Sequence, residues 1–140
     1  MRRLVSIAVT LLLASCVTSS PASSQWAKIE GCWSEQTDHW PAHMTWRRDP
    51  SQPNRYLGYW RREAAQGDLD EARFTFAPAG DHMQLCQQFS GGGRCDRAVF
   101  GRQGWRQDAV AVFDVFGDGY HEFGYAGATA PFFRGRGGPC

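Results

Sequence analysis

The sequence predicts an all-β fold, a single antiparallel meander closed into a small barrel. Three observations carry that expectation. Helical periodicity is almost missing, and the best stretch, residues 61–73, has Gly67 in its middle and a thin apolar stripe. Short runs rich in aromatic and β-branched residues recur instead, at intervals of roughly 10–15 residues. Gly, Pro and Asp turn signals separate them. Closure is expected because an open meander exposes two unpaired edges that invite aggregation, and a barrel removes both.

Each run has its own signature. Residues 43–48 contain Met44 and Trp46 and stop at Asp49-Pro50; residues 55–62 contain Tyr56, Leu57, Tyr59 and Trp60. In residues 72–77, Phe74 and Phe76 fall on one face ahead of Pro78-Ala79-Gly80-Asp81. Residues 82–89 alternate less cleanly, and residues 97–102 carry Ala98, Val99 and Phe100. The clearest unit is late: residues 110–116 and 120–125 flank Gly117-Asp118-Gly119, a strong hairpin signal. On its second arm, strand geometry sets His121, Phe123 and Tyr125 on one face and Tyr120, Glu122 and Gly124 on the other.

Gly31-Cys32-Trp33, near the start of the aromatic-rich part, resembles the Gly-x-Trp signature on the first strand of lipocalins and other calycins. The resemblance implies a calycin-like (lipocalin-like) barrel in which Trp33 plugs one end and an arginine of the last strand, Arg134 or Arg136, packs over its ring. The second lipocalin signature, Thr-Asp-Tyr, is absent, which leaves the broader calycin shape.

The N-terminus reads as an export signal. Arg2 and Arg3 precede an apolar run too short to span a bilayer, followed by Leu13-Ala14-Ser15-Cys16. That tetrapeptide resembles the lipobox of bacterial lipoproteins, which implies that residues 1–15 are removed and Cys16 is acylated, with palmitate-type chains, as the mature N-terminus. Val17, not Asp, follows Cys16, and by analogy with lipoprotein sorting this implies the outer membrane. Several acyl chains would anchor the chain firmly at the envelope, with no transmembrane helix. Residues 16–25, rich in Ser, read as a flexible tether, and all 19 aromatic residues lie from Trp26 onward, so the folded domain is expected over residues 26–140.

Without Arg2 and Arg3, 13 basic side chains face 14 acidic ones, so nothing in the charge attracts nucleic acid. Cys32, Cys86, Cys95 and Cys140 form an even set in an exported chain, which implies two disulfides and admits three pairings. Cys86 and Cys95 flank a bend containing Ser90-Gly91-Gly92-Gly93, so a bridge across it has the simplest geometry and leaves Cys32 for Cys140.

Catalytic patterns are missing. No Gly-x-Ser-x-Gly elbow, HExxH pattern or phosphate loop occurs, and the cysteines are accounted for as disulfides. His39 and His43, with Pro41 between them, offer too few ligands for a metal, and Asp68, Asp70 and Glu71 do not match a calcium loop. No enzyme, cofactor or metal is expected. The aromatic surplus points to an apolar binding surface, with Trp46, Tyr59, Trp60, His121, Phe123 and Tyr125 as its candidates and Trp40, Trp105, Phe132 and Phe133 as further lining. The expected function is a lipid-anchored, non-enzymatic binding module for a small hydrophobic ligand or lipid. The alternative is an interaction or inhibitor module of the protease- or lysozyme-inhibitor type. It would act through an exposed loop such as residues 90–94.

Overall fold

A computed structural model describes residues 25–35, 41–63, 67, 69–89, 91–101, 110–126, 128 and 131–140. Nine strands, β1 (Gly31–Glu35), β2 (Ala42–Asp49), β3 (Gln52–Glu63), β4 (Leu69–Ala79), β5 (His82–Phe89), β6 (Gly92–Phe100), β7 (Val110–Val115), β8 (Tyr120–Tyr125) and β9 (Phe133–Gly138), follow a 3₁₀ turn at Ala27–Ile29. They hydrogen-bond in chain order into a closed barrel, β9 returning to pair with β1. The all-β barrel expected from the sequence is the fold observed. Within residues 61–73, the best helical stretch in the sequence, 61–63 belong to β3 and 69–73 to β4.

One pairing departs from a purely antiparallel meander. β6 and β7 are parallel, Arg97 opposite Val110 and Phe100 opposite Phe113. Closure with an odd strand count requires it: alternating directions cannot meet around a ring of nine, so one neighbouring pair must run the same way.

The pleat sends alternate residues inward, and those positions are the apolar ones. Met44, Trp46, Phe74, Phe76, Leu85, Phe113, Phe123 and Phe133 are buried in one cluster. Glycine makes room where two rings would collide. Gly58 lies opposite Trp46, and a Cβ there would come within 2.5–2.8 Å of the Trp46 ring. Gly137, opposite Trp33, would bring a Cβ within 3.1 Å of that indole.

The 3₁₀ turn seals one end. Ile29 is wholly buried, and Trp26 packs on Phe76, Phe100 and Phe113 at centroid separations of 4.5, 5.2 and 5.6 Å. Trp33 donates its indole N–H to the Ile29 carbonyl at 2.8 Å, tying turn to barrel. Trp33 therefore does plug this end, but no arginine of β9 covers it. Arg134 and Arg136 alternate with the inward Phe133 and Gly135, so both point outward, where they flank Tyr120 at 5.5 and 5.0 Å.

Both disulfides take the expected pairing. Cys32–Cys140 ties the C-terminus to β1 over 108 residues, and Cys86–Cys95 staples β5 to β6 over 9. Cys16 and the whole of residues 1–24 lie outside the described residues, as do His39, Trp40, Asp68, Ser90 and Trp105.

Candidate functional site

The two ends of the barrel differ. At the sealed end the turn closes over Phe76 and Phe113. At the other, the distal rim, β1, β3, β5 and β8 finish while β2, β4, β6, β7 and β9 begin. Between the ends, rings fill the axis: Phe113 stacks on Phe123 at 5.0 Å, and Trp46 lies 5.6 Å from Phe113 and 5.9 Å from Phe74. Packing of that density leaves the described middle of the barrel as core.

Sorting the expected site residues by this frame separates them into three groups. Trp46 and Phe123 are buried in the core, at 1% and 0% exposure. His121 is equally buried, facing inward among Trp33 (5.1 Å), Phe113 (6.1 Å) and Phe133 (6.2 Å). Its Nδ1 lies 3.1 Å from the Asp114 carbonyl oxygen, which only a protonated nitrogen can bond, so Nδ1 carries the proton and Nε2 is a bare acceptor without a partner among the described residues. Burial holds its pKa down to about 4, so the ring is neutral at pH 7.

Tyr59 belongs to the outer surface. It sits between inward Gly58 and Trp60, so strand alternation turns it outward. There its hydroxyl donates to Glu71 at 2.5 Å and Arg73 lies 5.8 Å from its ring centroid. Tyr59 and Trp60 cannot line one site.

Trp60 and Tyr125 are the two candidates that reach the distal rim. Trp60, 7% exposed, packs against Phe132 in a tilted pair at 5.0 Å, and Phe132 also lies 6.2 and 5.5 Å from the Phe74 and Phe123 rings. Tyr125 donates its hydroxyl to Gln87 Oε1 at 2.8 Å and carries the Arg94 guanidinium 4.2 Å from its ring centroid. Arg94 in turn grips Asp96 with two hydrogen bonds, 2.7 and 2.9 Å, the strongest ion-pair geometry available. Burial pushes the Tyr125 phenol up to about 12, with Arg94 opposing the shift, so the hydroxyl keeps its proton. Burial also raises the Glu35 carboxyl at this rim, against the pull of Arg62.

The large apolar side chains left exposed gather here too: Leu69 at 49%, Phe89 at 47% and Phe132 at 37%. Leu69 and Phe89, with Asp70, Glu71, Ala72, Arg73 and Gln88, border a shallow groove of about 430 Å³ along β4 and β5.

Gln87 and Asp96 were not among the expected site residues, and Arg94 entered only as the end of the exposed loop 90–94, because the bend around Gly91-Gly92-Gly93 reads as loop while β6 in fact begins at Gly92. Their signal was present: Arg94, Asp96, Ala98 and Phe100 alternate along one face, polar towards the rim and apolar below.

Ser34 Oγ lies 3.0 Å from His43 Nδ1 on the outer face, the nearest approach to a nucleophile and base among the described residues. No carboxylate among the described residues orients His43, and no buried cavity surrounds the pair. No group of three or more metal-ligating side chains gathers among the described residues. Comparison with family models, with curated proteins and with solved structures finds no match to this chain.

Proposed function

We propose that this chain is a non-enzymatic binding module, held at the outer membrane by an acylated Cys16, that takes a small apolar molecule or a lipid at the distal rim of its barrel. The observation that carries the reading is the asymmetry of the two ends. One is sealed by Trp26 and Ile29, and the other sets half-exposed Phe132 against inward Trp60, with Tyr125 on the same rim. The filled axis directs binding to the rim. Trp26, the residue that follows the proposed tether, packs at the sealed end, opposite that rim.

Native mass spectrometry of protein extracted from membranes with its lipid tests this reading. A co-purifying apolar ligand supports it; a ligand-free mass together with no response to apolar fluorescent probes contradicts it. Mass measurement also tests the anchor, since acylation at Cys16 and loss of residues 1–15 each give a defined change.

One observation favours the alternative, an interaction or inhibitor module. Phe89 is nearly half exposed at the tip of the hairpin that Cys86–Cys95 staples, and a braced tip loses little freedom on docking. Phe89→Ser should abolish capture of a secreted hydrolase if that reading holds and leave small-ligand binding intact.

A further inference from the structure

We propose that the distal half of the barrel holds a site for a flat apolar ligand bearing a carbonyl or carboxylate oxygen, with the indole N–H groups of Trp46 and Trp60 as its hydrogen-bond donors. The proposal rests on rim binding as read above and narrows it to one ligand chemistry.

Two buried donors motivate it. The Nε1 atoms of Trp46 and Trp60 are both shut off from solvent, and neither has a hydrogen-bond partner among the described residues. Native proteins satisfy nearly all such groups, so a buried N–H without a partner calls for an acceptor brought from elsewhere. Trp33 shows the ordinary outcome, its indole bonded to the Ile29 carbonyl at 2.8 Å. An indole nitrogen donates and never accepts, so the missing partner must be an acceptor.

The two donors belong to one cluster of rings. Trp46 lies 5.9 Å from Phe74 and 6.4 Å from Phe123; Trp60 lies 5.0 Å from Phe132, which completes the set 6.2 Å from Phe74 and 5.5 Å from Phe123. Phe132 differs from the rest. It precedes β9 instead of sitting on a strand, and it is 37% exposed while the other four are at most 7%. Turning its side chain outward breaks no strand pairing and frees a space the size of one aromatic ring, bounded by Trp60, Phe74 and Phe123. A flat apolar ligand regains the ring contacts that Phe132 gives up.

Donor chemistry selects the ligand further. An ammonium carries donors only and can satisfy neither indole. The Arg62 guanidinium, 5.4 Å from the Trp60 ring centroid, is balanced by Asp70 at 3.3 Å and by Glu35, so a neutral carbonyl suits the site as well as a carboxylate.

Titration of the purified protein with 2-naphthoate, 2-acetylnaphthalene and 2-naphthylmethylamine, followed through the indole N–H resonances by ¹H–¹⁵N NMR, tests this directly. The expected result is saturable movement of the Trp46 and Trp60 signals with the acid and the ketone, no movement of Trp33, and at least tenfold weaker binding of the amine. Trp60→Phe, which keeps a ring and removes the donor, should weaken the two acceptors roughly tenfold and leave the amine unchanged. Phe132→Ala should tighten them. A preference for the acid alone assigns recognition to Arg62 as well as the indoles, whereas equal binding of acid and ketone assigns it to the indoles. Equal binding of the amine at the same resonances overturns the donor assignment and leaves rim binding standing. Failure of all three naphthalenes to bind overturns both.

Discussion

Gly58 and His121 show how much of the barrel rests on single positions. Gly58 has no unusual backbone angle to protect; what it protects is the Trp46 ring lying across it. Gly58→Ala places a methyl group within 2.5–2.8 Å of three ring carbons, so the indole must move inside a packed cluster. The expected cost is about 1–3 kcal/mol, read as a lower thermal midpoint. An unchanged midpoint would mean that the Trp46 ring is free to shift. His121 makes a different prediction. Its folded pKa, about 4, lies below the ordinary 6.5, so as pH falls the unfolded chain takes up the proton first. Its contribution is therefore complete above about pH 6.5, declines through the window down to about pH 4, and levels off below it at a loss of about 3 kcal/mol. Denaturant unfolding between pH 7 and pH 4 should show this slope in the native protein and lose it in His121→Phe. Equal slopes in the two proteins would place the proton uptake on another group.

Among the elements, the strands were legible where alternation was clean and obscure where it was interrupted. The bounds of β8 coincide with the run 120–125, and the inward face His121, Phe123, Tyr125 is the one strand geometry gives. β5 matched as well, over His82–Phe89. The beginning of β6 was hidden because Gly91-Gly92-Gly93 carries turn chemistry, although Gly92 and Gly93 already pair with Phe89 and Gln88. The parallel β6–β7 pair had no local signature at all, since it follows from the number of strands in the ring. Tyr59 faces away from Trp60 for a reason visible in the chain: it directly follows Gly58 and precedes Trp60, and neighbours on a strand face opposite ways. The cysteines were legible because two of them flank one bend. The two bridges should also differ in worth. Opening the 108-residue loop by replacing Cys32 and Cys140 with Ser is expected to cost about 4–5 kcal/mol, against about 2–3 kcal/mol for Cys86 and Cys95 with their 9-residue loop. Urea unfolding of the two double variants compares them; equal losses would show that native contacts at β9, and not chain entropy, set the value of the longer bridge.

For the whole molecule, the consequence is a barrel with a solid axis and two unlike ends. Rings packed at 5.0–5.9 Å from Phe113 and Phe123 to Trp46 and Phe74 give it a core, and the 3₁₀ turn closes that core at one end. The other end carries exposed Phe89 and Phe132, an Arg94–Asp96 pair laid over Tyr125, and a Trp60 indole N–H without a partner among the described residues. Mapping intermolecular NOEs from a bound apolar probe onto the folded protein addresses this division most directly. Contacts to Trp60 and to the Phe74 and Phe123 rings beside it, on the side of the rim, are the result expected. Contacts to Trp26 and Ile29 would contradict the account, because they would put the ligand at the end that the turn closes.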